Sequence, residues 1–244
     1  MGSSRLPGKV LLKLDKTNTI LDYVISQLKN CKSLDKIMIA TTNLEEDKII
    51  TNFCKKNKIT CFEGSSDDVL DRYYQCAKKL SITTIVRITS DCPLVDPNII
   101  DKLIYEYTNN SFDVVATHNP HSFPIGVADI EIFSFSLLEK IWNDAKKLSE
   151  REHVTLYFYN NKNKFKIFNF KNNENLSKIK LAVDRNTDFE LLKKIISQTK
   201  KRPILLEDIL KILKNNPKFL KINSNFVPNE GLKKSLEEDK KFGF

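Results

Sequence analysis

Apolar residues recur at helical spacing over 20–28, with Thr17, Asn18 or Thr19 in front to cap the run. Residues 37–40 then read as a short buried strand, 45–56 return to the helical period, and 59–62 form a second short strand ending at Glu63 and Gly64. Over 64–80 a polar lead precedes a helix with Val69, Leu70, Tyr73, Cys76, Ala77 and Leu80 on one side. Asp67 and Asp68 fall in its first turn, where negative charge suits the helix dipole. A strand over 84–88 leads to a helix over 98–107, announced by Asp96 as cap and Pro97 in first position. Further strands are predicted over 112–117, 128–133 and 179–183, and helices over 137–147 and from 150 onward. The helix after 184 has a capping box in Thr187 and Glu190. Strands and helices alternate, which argues for a parallel sheet with crossover helices in a single α/β domain spanning 1–244.

Composition narrows this reading only slightly. Apolar residues make up 41% and charged residues 29% of the 244, which is globular rather than disordered. No apolar run reaches membrane-spanning length and no secretory signal opens the chain, so a cytoplasmic location and no membrane partner are expected. Five cysteines, odd in number and without a C-x-x-C pair, suggest neither a disulfide framework nor a zinc site. The formal charge of +9 invites a nucleic-acid partner, but the lysines are scattered over every amphipathic segment. The one basic and aromatic stretch, 162–171, reads more simply as a half-buried strand, so no nucleic-acid partner is expected.

The candidate chemistry begins at the N-terminus, where Ser3, Ser4, Arg5, Gly8 and Lys9 combine hydroxyls, a guanidinium fork, a glycine and an ammonium within seven residues. That combination suits a polyanion such as a triphosphate, although a solvated basic terminus would have the same composition. Two aspartates are left without a capping duty at the ends of their strands, Asp91 because Asp96 caps the next helix and Asp184 because Thr187 does. Carboxyl ends of strands converge on the ligand crevice of α/β sheets. Two spare carboxylates near a phosphate loop suggest Mg²⁺, which takes one or two carboxylates plus phosphate oxygens; as surface aspartates they would be unremarkable. His118 and His121 have a spacing seen in some metal sites, but no third ligand follows, and their loop is better read as lining a substrate pocket. Arg151, Glu152 and His153 are a polar surface cluster or part of a subunit contact.

SSRLPGKVL, EGSSDDVLDRYY, VRITSDCPLVDP, EREHV, LAVDRNTDFELL and NEGLKKSLEED occur in this order across nearly the whole chain. Together they resemble the cytidylyltransferases that activate acidic sugars, the CMP-KDO and CMP-acylneuraminate synthetases, with the nearest likeness to the group named for the spore coat polysaccharide biosynthesis protein F. The resemblance implies a three-layer, Rossmann-like nucleotide-diphospho-sugar transferase fold with a mixed, mainly parallel sheet. It also implies a Mg²⁺-dependent transfer of CMP from CTP to a sugar acid with release of pyrophosphate, for surface polysaccharide or glycoconjugate synthesis, by a homodimer. By the same resemblance Arg5 and Lys9 would hold the triphosphate, Ser3, Ser4 and Gly8 would shape the loop, and Gly64, Ser65 and Asp68 would lie near the cytidine. Asp91, also on the nucleotide side, and Asp184 would be the metal ligands. Gly126, Asp129 and Glu131 would face the acceptor, the two acids displaced by one extra residue after Pro124. Members of the family place an apolar strand before the phosphate loop. Here Met1 falls inside the motif, so the usual first strand of the sheet is expected to be missing, through a late start or a truncation. A sugar nucleotidyltransferase using another NTP, or a catalytically silent binding subunit, are the alternatives.

Overall fold

The computed structural model describes residues 1–3 and 5–243. After a short 3₁₀ turn at Lys9–Leu11, α1 (Ile20–Leu28) begins with a capping box: Thr19 accepts from the amide of Asp22, and Asp22 accepts in return from that of Thr19. β1 (Met38–Thr42), α2 (Lys48–Lys56), β2 (Thr60–Gly64), α3 (Val69–Lys79) and β3 (Thr84–Arg87) follow in the expected alternation. α4 (Pro97–Asn109) has Asp96 as its cap, and β4 (Val114–Ala116), β5 (Glu131–Ser134), α5 (Phe135–Asp144), α6 (Leu148–Glu152) and α7 (Leu156–Asn160) come next. The chain closes with β6 (Ile167–Asn169), α8 (Asn186–Ser197), α9 (Leu206–Asn215) and α10 (Glu230–Lys241).

β3, β5, β4 and β6 form one sheet in that order, with β5 antiparallel to both β3 and β4, and β4 parallel to β6. Alternation along these strands buries both faces. Val114, Ala116 and Phe133 pack with α3, α5 and α7, whereas Val115 and Ile132 pack on the opposite side with Ile99, Ile100 and Leu103 of α4. A further apolar cluster joins α8 and α9 to Ile20 and Tyr23 of α1 and to Leu94, Leu181 and Val183, behind the candidate site. The result is helix, sheet, helix: a three-layer α/β fold with a mixed sheet.

β1 and β2 pair parallel as a separate two-stranded sheet. The second edge of β1 and the second edge of β3 both line one slot of about 760 Å³, floored by apolar residues such as Val24, Ile25 and Ala77. Among the described residues no strand fills it.

Two predicted elements and one cap are corrected. The strand over 179–183 is extended, but it bonds to two different partners, Ile125 on one side and the Asp91 carbonyl through the Val183 amide (2.9 Å), so it makes a single bridge and no ladder. The side chain that caps the start of α8 is that of Asp188, at the third position of the helix, which reaches back to accept from the amides of Asp184 and of Arg185, the N-cap residue (3.0 Å each), whereas Thr187 is exposed. The polar segment 150–154 supplies the last turn of α6 and its end, instead of opening a helix.

Candidate active site

Met1 is tied at the carboxyl end of β1, and Lys9 reaches Asp91 in the segment that follows β3. The α-amino group of Met1 bonds to the buried Asp47, which also takes the Thr42 hydroxyl at the end of β1. Gly8 turns the loop at φ +68°, a left-handed conformation that favours glycine; a Cβ there would meet the end of the flexible Met1 side chain at 2.7 Å. Ser3 accepts from the Leu6 amide (3.3 Å) and stabilises the turn, while Ser4 lies outside the described residues.

That turn delivers Lys9 into a cluster of oxygens. Its ammonium reaches Asp91 Oδ2 at 2.7 Å, the Val183 carbonyl at 2.6 Å and Asp184 Oδ1 at 3.3 Å. Arg5 donates to Asp184 Oδ1 at 2.7 Å, and Lys180 pairs with Asp184 at 2.9 Å. Arg5, Lys9, Asp91 and Asp184, which are separated by up to 179 positions in sequence, therefore share one site. Burial pushes the Asp184 carboxyl up, but Lys9, Lys180 and Arg5 more than reverse this and hold it down to about 2. Asp91 behaves alike: burial opposes its charge, Lys9 overrides, and its acidity rises. Lys9 loses some basicity to burial and regains more from the two carboxylates.

Asp91 and Asp184, two hard carboxylates joined by one ammonium, are the residues that would hold a divalent cation here. Among the described residues no cluster of three or more His, Cys, Asp or Glu side chains is arranged for a metal. Two carboxylates meet the requirement of Mg²⁺, which completes its shell with water and phosphate oxygens. Cys92 is next to Asp91, but burial and the charges of Asp91 and Asp129 push its thiol well up, which keeps it protonated and unreactive.

Beside this centre Asp129 accepts from the Gly126 amide (2.7 Å) and lies 3.3 Å from His121. Burial raises the Asp129 pKa and lowers that of His121. Gly126 sits at φ +90°, and a Cβ there would lie 2.3–2.8 Å from the backbone of Leu181 and Ala182. It is the point where the 124–129 loop crosses the segment ending in Asp184. Glu131 is fully buried, and its carboxylate is taken up by Arg87 (2.7 Å), His118 (3.0 Å) and Tyr159 (3.0 Å). Burial alone would raise its pKa, but His118 and Arg87 hold it far below the usual range. Asp129 lies near Cys92, on the Asp91 side, whereas Glu131 is held between Arg87 of β3 and Tyr159 of α7.

On the other side, Gly64 ends β2 and its carbonyl accepts from Asn43 (2.9 Å); Ser65 accepts from the Asp68 amide (3.1 Å). Asp68 is the cap of α3 instead of a first-turn residue, accepting from Asp71 (2.8 Å), and its second oxygen takes Arg151 at 2.5 and 2.8 Å. No hydrogen bond among the described residues joins this group to the Lys9 centre. Sequence reasoning missed Lys180, Arg185, Glu230 and Arg87, and it named Arg151 without its partner Asp68. Arg185 and Lys180 flank the Val183–Asp184 pair, and Glu230 stands in the closing motif, but their partners are distant in sequence.

The family model described as Cytidylyltransferase matches residues 1–222. An uncharacterized protein of Methanocaldococcus jannaschii is 40% identical over 226 residues, covering 92% of this chain and 91% of the relative. The spore coat polysaccharide biosynthesis protein SpsF of Bacillus subtilis is 30% identical over 225 residues, covering 89% and 92%. The solved structure of a cytidylyltransferase from Leptospira borgpetersenii superposes with a TM-score of 0.87 at 35% identity, covering 93% of this chain and 94% of that one. With the matched stretch running from the N-terminal loop through Asp91 and Asp184, the chain belongs to the cytidylyltransferase family.

Proposed function

We propose that the protein transfers CMP from CTP to a sugar acid, releasing pyrophosphate, in the cytoplasm and as a homodimer, for surface polysaccharide or glycoconjugate synthesis. The observation that carries this is the Lys9 ammonium held between Asp91 and Asp184 with Arg5 alongside, a set of cations and carboxylates suited to a metal-bound triphosphate. Family membership supports CTP as donor; the acid acceptor rests on the motif resemblance.

The reaction forms a bond from an acceptor hydroxyl oxygen to the α-phosphorus and breaks the bond from that phosphorus to the pyrophosphate oxygen. No protein nucleophile is required, so the side chains contribute placement and charge. Arg5 and Lys9 would neutralise the departing pyrophosphate. Asp91 and Asp184 would hold Mg²⁺, which when bound polarises the α-phosphate and eases ionisation of the hydroxyl. Asp129, on the Asp91 side of its loop, would face the acceptor, whereas Glu131 would act through Arg87 and His118.

A thermal-shift panel tests the donor. CTP with Mg²⁺, at a hundredfold excess over its Kd, should stabilise by about 2.7 kcal/mol, or roughly 5–10 °C in a chain of this size. UTP, ATP and GTP, or CTP without Mg²⁺, should shift the midpoint far less. Equal shifts from all four nucleotides would overturn the choice of base. The bare sheet edges favour one second reading, a non-catalytic subunit; pyrophosphate release with a panel of sugar acids separates the two.

A further inference from the structure

The segment 150–154 and the closing motif have no part in the chemistry above, yet they meet in space. α10 begins beyond residue 222, where the family match ends, and it packs along α6. Asp239, buried on α10, accepts from the Ser149 amide (3.0 Å) and from the Ser149 hydroxyl. Ser235, also buried, meets His153 Nε2 at 3.0 Å and donates to Glu152. α6 in turn sends Arg151 to Asp68 and to the Trp142 carbonyl (2.7 Å). At its other end α10 presents Glu230, whose Oε2 accepts from Arg5 (3.2 Å) and whose Oε1 accepts from Arg185 (2.7 Å). One anchored helix thus contacts the Arg5 side directly and the Asp68 side through α6.

We propose that α10 is a positioning element of a polyphosphate subsite, in which Glu230 holds Arg5 and Arg185 as adjacent forks facing the phosphates. This rests on the triphosphate reading of the preceding section. Among the described residues Arg5 has Asp184 and Glu230 as its side-chain partners, and Asp184 is assigned to the cation. When Asp184 takes a metal, Glu230 is the anchor that stays. A guanidinium has five N–H donors, so Arg5 tethered through one nitrogen still has donors for phosphate. Exposed ion pairs add little to stability, and Glu230 is half-exposed, so its contribution is the placement of charge and not the strength of the fold.

Calorimetry on the full chain, with tripolyphosphate and cytidine as separate probes, tests this. Glu230→Ala should weaken tripolyphosphate roughly tenfold, the loss of one charge-assisted anchor, and leave cytidine within about twofold. Glu230→Asp should recover part of the loss. Tripolyphosphate bound as tightly or more tightly by Glu230→Ala would make Glu230 a mere competitor for the arginines and overturn the proposal. So would a parallel loss of cytidine, which marks a general structural role. If the unaltered chain binds no tripolyphosphate and Lys9→Ala changes nothing, the triphosphate reading itself falls, and the proposal with it; a chain that binds tripolyphosphate and loses it on Lys9→Ala keeps that reading whatever Glu230 does.

Discussion

On the proposed reading, Asp184→Asn and Asp91→Asn should each abolish Mg²⁺-dependent pyrophosphate release from CTP and the acceptor, with the fold intact. The amide keeps the size of the side chain and removes the charge that a cation requires, so turnover should fall by about a thousandfold or more. Circular dichroism and the thermal midpoint should remain close to those of the parent, because both carboxyls are partly exposed and Lys9 keeps the Val183 carbonyl as a partner. Asp96→Asn is the control: Asp96 caps α4 and accepts from the Leu206 amide (2.7 Å), so its loss should lower stability without selectively removing turnover. Near-normal turnover in either site variant would remove that residue from the metal pair. The pH dependence has a definite sign. A carboxyl depressed to about 2 in the folded chain contributes stability above its unfolded value near 4 and loses it as pH falls from about 4 to 2. Asp184 is therefore ionised at every pH where the enzyme would be assayed, and any loss of activity between about pH 7 and 5 must come from another group.

The second large effect is on stability. Asp188→Ala should cost about 3–5 kcal/mol, and lower the midpoint by roughly 10 °C, because it breaks a buried ion pair and leaves donors unpaired. Asp188 is 2% exposed; it binds Lys180 at 2.6 Å, Asn223 at 2.8 Å and the amides of Asp184 and Arg185. Thr187→Ala should change stability by no more than about 0.5 kcal/mol, since that side chain is exposed and makes no hydrogen bond among the described residues. Urea unfolding of the two variants decides between them. A costlier Thr187→Ala would return the cap to Thr187. The same Asp188 carboxylate fixes the backbone of Asp184, so Asp188→Ala should also weaken the site it supports.

Local signals were the legible ones. Thr19, Asp96 and the apolar stripes of α1, α3 and α4 could be read because a cap and a helical period lie within one or two turns. Asp91 and Asp184 were legible by elimination: each stood at the end of an extended segment with capping assigned elsewhere. The elimination for Asp184 assigned the wrong cap, since Thr187 and Asp188 are adjacent polar residues and only burial tells them apart. Contacts such as Arg87 with Glu131, or Glu230 with Arg5, cross 44 to 225 positions and follow no period, so nothing local marks them. The extended segment ending at Asp184 looked like a strand because its apolar run is right; its partners change midway, which a single chain of residues does not reveal.

The slot between β1 and β3 has a consequence for how the molecule comes apart. With no ladder across it among the described residues, the unit of β1, α2 and β2 is joined to the larger sheet through the packing of α3 on β1 and β2 and through a small cluster with α1, where Leu21 and Ile25 meet Ile50 and Cys54. Cooperativity in α/β folds is transmitted along continuous ladders and shared cores, and regions with few buried contacts open first. The phosphate loop spans the boundary, with Met1 tied to Asp47 on one side and Lys9 tied to Asp91 on the other. Opening of the small unit would therefore pull on the loop, and a polyanion that clamps Arg5 and Lys9 in place would slow amide exchange in β1 and β2, far from any atom it touches.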